Sequence, residues 1–414
     1  TALYEVFVRD FSPEGTLRGV QDGLDRIEAV GVEVVWLMPI HPIGEVERKG
    51  PLGSPYSITD YRGIHPDFGD ADDFRSLVQA VHGRGMKLIM DWVPNHTAWD
   101  HDWVTQHPDW YARDETGAMT VPRDESGELT DWTDVVELDY GNPELRRAMI
   151  GEMRYWLEEF GIDGFRVDVA GMVPDDFWRD AIPELRAAGA DLLLAEWGDP
   201  RMHGLGFDLT YPWGSYHRLK EAWQGGPASA FIMEELDELA QLPADGLRMR
   251  FTTNHDETAW DEPPVTLFGG PAGARAAFVA MALLPGPPLI YNGQEVESPQ
   301  ELGLFVRDPI EWDQPGADEA RAFYRRVINL SRTNDALATG GLDVVEIDAA
   351  DDVIAYRRDD VVVLVNTRDR PVSVSVHASE LNGAEDLLNG GSHAGGAVEL
   401  EAYGAVVLDV RRSR

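Results

Sequence analysis

GFRVDVA, residues 164–170, reads as a buried strand that carries charge in its middle. Arg166 and Asp168 stand two apart among apolar neighbours, and Asp163 lies just before the stretch. Residues two apart on a strand face the same way, so both side chains point to one side. Burying charge is costly unless the charge is paired or used. The flanks are helical in pattern: NPELRRAMIGEMRYWLEEFG (142–161) before it and PDDFWRDAIPELRAAG (174–189) after it. A charged strand between two amphipathic helices argues for a parallel sheet with crossover helices.

The same rhythm extends in both directions. Upstream, ALYEVFVRD (2–10), VEVVWLMPI (32–40) and KLIMDWVPNH (87–96) read as strands, separated by the helical runs GVQDGLDRIEAVG (19–31) and DDFRSLVQAVHGRGM (72–86). Downstream, DLLLAEWGD (191–199), GFDLTY (206–211), LRMRFTTNHD (247–256) and PPLIYNGQE (287–295) complete a set of eight strands. Eight strands with helices between them fit a closed (β/α)8 TIM barrel better than an open sheet. No glycine-rich dinucleotide or phosphate loop follows a strand. Residues 97–140 break the rhythm and read as a short inserted domain after the third strand. The barrel is expected over 1–96 and 141–338. Residues 339–414 alternate in pattern and turn at short intervals, as a C-terminal all-β sandwich does.

Composition narrows the function classes. The 414 residues are 43% hydrophobic, ample for a large core. Acidic residues number 74 against 35 basic, a net charge of −39, and the only lysines are Lys49, Lys87 and Lys220. So negative a surface argues against nucleic acid and anionic membranes as partners. Lysine depletion beside acid excess points to salt adaptation, because screening removes the self-repulsion. With no cysteine, disulfides, thiolate metal sites and cysteine nucleophiles are excluded. The longest apolar candidate for a membrane span, AAFVAMALLPGPPLI (276–290), is broken by Pro and Gly. The chain opens at Thr1 in a strand-like run, which fits a processed, secreted form. The cytoplasm of a salt-accumulating organism is the alternative, and a monomer is expected.

In such a barrel the active site lies where strands end and βα loops begin. The polar residues there are Asp91, Asn95 and His96 after the third strand, Arg166 and Asp168 on the fourth, Glu196 on the fifth, and Asn254, His255 and Asp256 on the seventh. A guanidinium beside a carboxylate favours its ionised form, so Arg166 is expected to keep Asp168 charged. Glu196, between Ala195 and Trp197, is expected to hold its proton more tightly. Two such carboxylates, about 5 Å apart, can hydrolyse a glycoside with retention. A buried ion pair that only fixes the strand is the bland alternative, and it weakens once the acids of three strand ends are taken together.

At these residues the chain resembles the α-amylase family of glycoside hydrolases. Four stretches carry the resemblance, in order: DWVPNH (91–96), GFRVDVA (164–170), LLLAEW (192–197) and FTTNHDE (251–257). The resemblance implies Asp168 as nucleophile, Glu196 as acid/base and Asp256 as transition-state stabiliser. It implies Tyr56, His96, Arg166 and His255 around the catalytic sugar, and Trp197 beside the acid is the tryptophan expected to contact substrate. Ser57 stands where exo-acting relatives carry Asp, which points to endo-action on α-1,4-glucans such as starch and maltooligosaccharides. Cyclomaltodextrinase, neopullulanase or α-glucosidase activity is the alternative, as is a non-catalytic glucan-binding relative. The chemistry needs no cofactor. The family often holds a structural calcium, and Asn95 and Glu137 match positions of that site, but VAGMV (169–173) departs from the pattern, so the metal is left open.

Overall fold

The computed structural model describes residues 1–376 and 381–411. Eight parallel strands form the central sheet: β1 (Leu3–Val6), β2 (Val34–Leu37), β3 (Lys87–Trp92), β4 (Gly164–Val167), β5 (Leu192–Ala195), β6 (Leu209–Thr210), β7 (Leu247–Arg248) and β8 (Leu289–Tyr291). Their order is β8-β1-β2-β3-β4-β5-β6-β7. A parallel bridge between Arg250, just past β7, and Pro288, just before β8, closes the barrel. In a closed parallel barrel both faces of each strand are covered, which is why β1, β2 and β4 are buried throughout.

The helices between strands start and stop where local chemistry dictates. Asp70 and Asp73 form a reciprocal capping box at the start of Ala71–His82. Asn142 caps Pro143–Phe160, and Gly161 ends it in a left-handed conformation, φ 68°. Trp36, Trp92, Trp156 and Trp178 are fully buried in the resulting core.

Two segments depart from expectation. The run over 2–10 is a strand only to Val6, because Val8–Phe11 coils into one helical turn. The Phe7 N–H donates to Asn292 Oδ1 at 2.6 Å, which turns the chain away from the sheet. Likewise 247–256 contributes a two-residue strand, and His255–Trp260 is already a helix capped by Asn254.

The insertion after β3 is built on a small antiparallel ladder, His96–Ala98 against Val135–Glu137. The C-terminal part is an antiparallel sheet of five strands and a separate two-stranded ladder, Val372–Val374 with Val398–Leu400. Within the C-terminal region expected over 339–414, residues 377–380 and 412–414 lie outside the described residues. One face of the larger sheet joins the barrel core through Ile354, Tyr356, Val363 and Val407. The opposite face, with Val362, Leu364 and Leu408, forms its own cluster. Among the described residues no helix is long and apolar enough to cross a membrane.

Candidate active site

β3, β4 and β5 deliver charge to one point at the barrel mouth. Arg166 on β4 is fully buried, and its Nη1 donates to Asp91 Oδ1 at 2.9 Å and to Asp168 Oδ1 at 3.1 Å. Its Nη2 lies 2.7 Å from Glu196 Oε1 as an ion pair, off the line of a hydrogen bond. Its Nε donates to the Tyr211 hydroxyl at 3.2 Å. One guanidinium thus bridges Asp168 and Glu196 from beneath, which answers why the strand carries Arg166 and Asp168 on one face.

The backbone just past β4 fixes the second acid. Val169 sits at φ 37°, ψ 47°, a left-handed conformation that a β-branched residue seldom adopts. Its N–H donates to Glu196 Oε2 at 2.7 Å. The strained residue therefore joins the loop after β4 to the acid after β5.

A hydrogen-bonded chain runs from β1 to this pair. Glu5, buried on β1, faces His255 Nδ1 at 2.5 Å. His255 Nε2 lies 2.7 Å from the Tyr56 hydroxyl and 3.3 Å from Asp256 Oδ2. The Tyr56 hydroxyl donates to Asp91 Oδ2 at 3.0 Å, and Trp36 Nε1 donates to the same oxygen at 3.3 Å. Burial works against a charged His255, but Asp256 and Glu5 together outweigh it and raise it to about 9. As an imidazolium it donates from both nitrogens, and Tyr56 passes the chain on to Asp91. The rings of Tyr56 and His255 stack, with centroids 5.3 Å apart. His96 is the opposite case: burial lowers it to about 3, so it is neutral.

The carboxylates do not behave as the sequence suggested. Burial raises Asp168 well above the usual carboxylate range, and the charge of Glu196 adds to this, whereas Arg166 only partly offsets it. The expectation that Arg166 keeps Asp168 ionised is therefore corrected: two neighbouring acids in a dry site resist carrying two charges. Asp91 is raised to about 6, again by burial against the pull of Arg166.

Above the carboxylates opens a cavity lined by Tyr56, His96, Asp168, Glu196, His255 and Asp256. The three predicted acids thus meet at one cavity, with Arg166 below them. Trp197 does not line it; the indole lies over Gly171, where a Cβ would approach the ring to 2.1 Å. Trp132 of the insertion and Trp260 line the cavity instead. Trp260 is 66% exposed and meets Phe305 edge to face at 5.6 Å. Ser57 is buried, its hydroxyl donating to the Asp134 carbonyl at 3.0 Å. Glu5, Trp36 and Tyr211 were not singled out from sequence: each reads as an ordinary member of an apolar run, and only barrel closure brings Glu5 to His255.

The Asn95 carbonyl accepts from Leu138 N at 3.1 Å, and Glu137 lies near the positive charge of Arg123. Among the described residues no group of three or more His, Cys, Asp or Glu side chains is clustered as a metal site.

Chemically, the arrangement offers two acids held on one cation, a third acid and a protonated imidazole at the rim, and aromatic walls. That set suits displacement at an acetal carbon with proton donation to the leaving oxygen.

The comparisons with known proteins agree. The family described as "Alpha amylase, catalytic domain" matches residues 7–203. A crystal structure of an α-amylase from Lactobacillus plantarum is 32% identical, with 98% of each chain covered and a TM-score of 0.84. An α-amylase of Haloarcula japonica is 29% identical over 94% of this chain, which spans 58% of that relative's length. A cyclomaltodextrinase of Thermoanaerobacter pseudethanolicus is 28% identical over 90% of this chain and 67% of its own length. Motifs, barrel and full-length likeness converge, and the chain belongs to the α-amylase family of glycoside hydrolases.

Proposed function

We propose that the protein is an endo-acting, retaining hydrolase of α-1,4-glucosidic bonds in starch and maltooligosaccharides. Asp168 attacks the anomeric carbon of the bound sugar while Glu196 gives its proton to the glycosidic oxygen, so the C–O bond to the leaving sugar breaks as the Asp168–carbon bond forms. Water then attacks that carbon, Glu196 takes the water's proton, and Asp168 departs as a carboxylate. The reaction needs Glu196 as the acid and Asp168 as the anion, and Arg166, in contact with both, favours the charged form of Asp168 against burial. Asp256 offers a fixed negative charge to the oxocarbenium-like transition state. Arg166 positions both acids, and Tyr56, His96 and His255 meet the sugar's ring and hydroxyls.

The observation that carries this reading is the guanidinium of Arg166 in contact with both Asp168 and Glu196 at the floor of a cavity that Asp256 also lines. Ser57, tied to the insertion rather than facing the cavity, supports a cleft that leaves the chain end ungripped. A second reading, cyclomaltodextrin hydrolysis, is favoured by the likeness to an enzyme of that name.

Incubation with amylose, maltotriose and a cyclomaltodextrin separates the readings. Rapid loss of iodine staining with mixed maltooligosaccharide products, of α configuration at first release, supports the endo-acting amylase. Faster opening of the ring than cleavage of amylose supports the second reading. Binding without products overturns both.

A further inference from the structure

We propose that a second cavity, which shares two loops with the catalytic cleft, binds a small inorganic oxyanion. Arg9, Arg48, Arg307 and His65 line it, with Glu14 and Asp67. Three guanidinium groups gathered in one cavity are unexpected in a chain of net charge −39. Their hydrogen bonds go to neutral acceptors. Arg9, only 4% exposed, donates to the carbonyls of Gly53 at 3.2 Å and Leu304 at 2.7 Å. Arg48 donates to the carbonyls of Gly44 at 2.8 Å and Ile43 at 3.3 Å.

The acids nearby do not neutralise them. Among the described residues no carboxylate lies within 4.0 Å of Arg9 or Arg307. Glu45 approaches Arg48 only to 3.8 Å, and its side chain is 84% exposed. Asp67 is 77% exposed and meets His65 at 3.9 Å. Asp10, next to Arg9, is raised by burial to about 7, so it supplies less than a full charge. Burial lowers Arg9 to about 10; Asp10 and Asp67 offset this only in part, and Arg48 adds to the lowering. His65 is lowered by burial, with Asp67 opposing and Arg9 and Arg48 adding to it. Arg9 holds its charge out of water without a carboxylate in contact, which is costly, and an anion drawn in by Arg48 and Arg307 lowers that cost. The planar fork of arginine fits oxyanions best, so phosphate should bind more tightly than chloride. The cavity, about 290 Å³, has room for either.

The site has a route to the catalytic cleft. The loop with Arg48 also carries Lys49 and Ser54, and the loop with Arg307 carries Leu304 and Phe305; all four line the cleft. The loops are joined by Leu52 N donating to the Phe305 carbonyl at 3.1 Å. An anion drawn between Arg48 and Arg307 braces that wall.

The test replaces sodium gluconate stepwise with sodium phosphate, or with sodium chloride, at fixed sodium concentration and pH. The expected result is a saturable rise in Tm, about 3–5 °C at a hundredfold excess over Kd, with phosphate half-saturating below chloride. KM for starch falls with the same half-saturation. Arg307→Gln and Arg48→Gln each lose most of the shift, while Arg321→Gln, on the surface elsewhere, keeps it. Arg307 is exposed, so its variant carries the test if Arg48→Gln fails to fold. A linear shift equal in all variants is charge screening and overturns the proposal, as does a saturable shift that survives both cavity substitutions. A Tm shift with unchanged KM overturns the bracing role. The Tm reading needs no turnover, so it stands apart from the reading of the catalytic site.

Discussion

Replacing Arg166 with methionine removes the cation that touches Asp91, Asp168 and Glu196, whose side chains are 0%, 11% and 12% exposed. Removing one partner of a buried ion pair costs about 3–5 kcal/mol. Here the remaining acids can respond by binding protons. Asp91 is already at about 6 and Asp168 is well above the ordinary range, both with Arg166 pulling downward. Without the guanidinium both rise further above their unfolded values. A carboxyl group raised in the folded state contributes stability below its unfolded pKa, and that contribution is lost as pH rises through the folded pKa. Each extra proton held by the folded chain tilts stability by about 1.4 kcal/mol per pH unit in that window. The variant should therefore be about 3–5 kcal/mol less stable than the parent at pH 8, and at least ~1 kcal/mol closer to it at pH 5. Urea unfolding followed by circular dichroism at both pH values, at constant high salt, reads this directly. Arg166→Lys is the companion: it keeps a charge but loses the fork that spans three carboxylates. A loss below ~1 kcal/mol, or one equal at both pH values, refutes the claim that this guanidinium carries the site's electrostatics.

Asp168→Asn should cut turnover by at least about 10³-fold yet raise Tm, more at pH 8 than at pH 5, because the amide removes a charge that burial and Glu196 oppose; a lowered Tm at pH 8 contradicts this. Glu196→Gln should lose about 10²–10⁴-fold on maltooligosaccharides but far less on a nitrophenyl maltoside, whose leaving group needs no proton; equal losses on the two count against the acid role. Glu5→Gln should lower the pKa of His255 from about 9, read by the NMR shift of the imidazole. Because His255 is raised above its unfolded value, its contribution to stability is full below about pH 6.5 and lost as pH rises through 9, and the variant, which keeps Asp256, should lose the part of that slope that Glu5 supplies. Dialysis to low salt should unfold the protein, given its charge of −39; an unchanged Tm in dilute buffer removes the reading of salt adaptation.

The barrel was legible because parallel strands buried on both faces leave short apolar runs, and helices between them leave a distinct period. The three acids were legible because each ends such a run. What the sequence hid depends on closure. Glu5 lies in ALYEVFVRD among six apolar neighbours, ahead of the charged end of the stretch, and only the pairing of β1 with β8 and β2 brings it within reach of His255. The electrostatics of Asp168 were misread for a similar reason: the spacing of Arg166 and Asp168 is local, whereas Glu196 arrives from the next strand. Trp197 follows the acid in sequence, but residues adjacent on a chain leave a strand in opposite directions, and its indole lies on Gly171. Trp132 and Trp260 sit in irregular segments whose side-chain direction no periodicity reports.

The way the C-terminal sheet is fastened bears on how the enzyme can be cut and recombined. Arg358 reaches the Leu283 carbonyl at 2.7 Å, the Tyr356 hydroxyl donates to the Ala280 carbonyl at 3.0 Å, and Arg368 reaches the Gly226 carbonyl at 2.8 Å. The helix that Tyr356 and Arg358 cover, Pro271–Ala282, is half alanine and buried along most of its length. A catalytic module trimmed at its apparent boundary would leave that helix wet and its carbonyl acceptors without these donors. Barrel and tail should therefore melt as one cooperative unit, seen as a single calorimetric transition, and chimeras that exchange the tail should carry the facing helix with it.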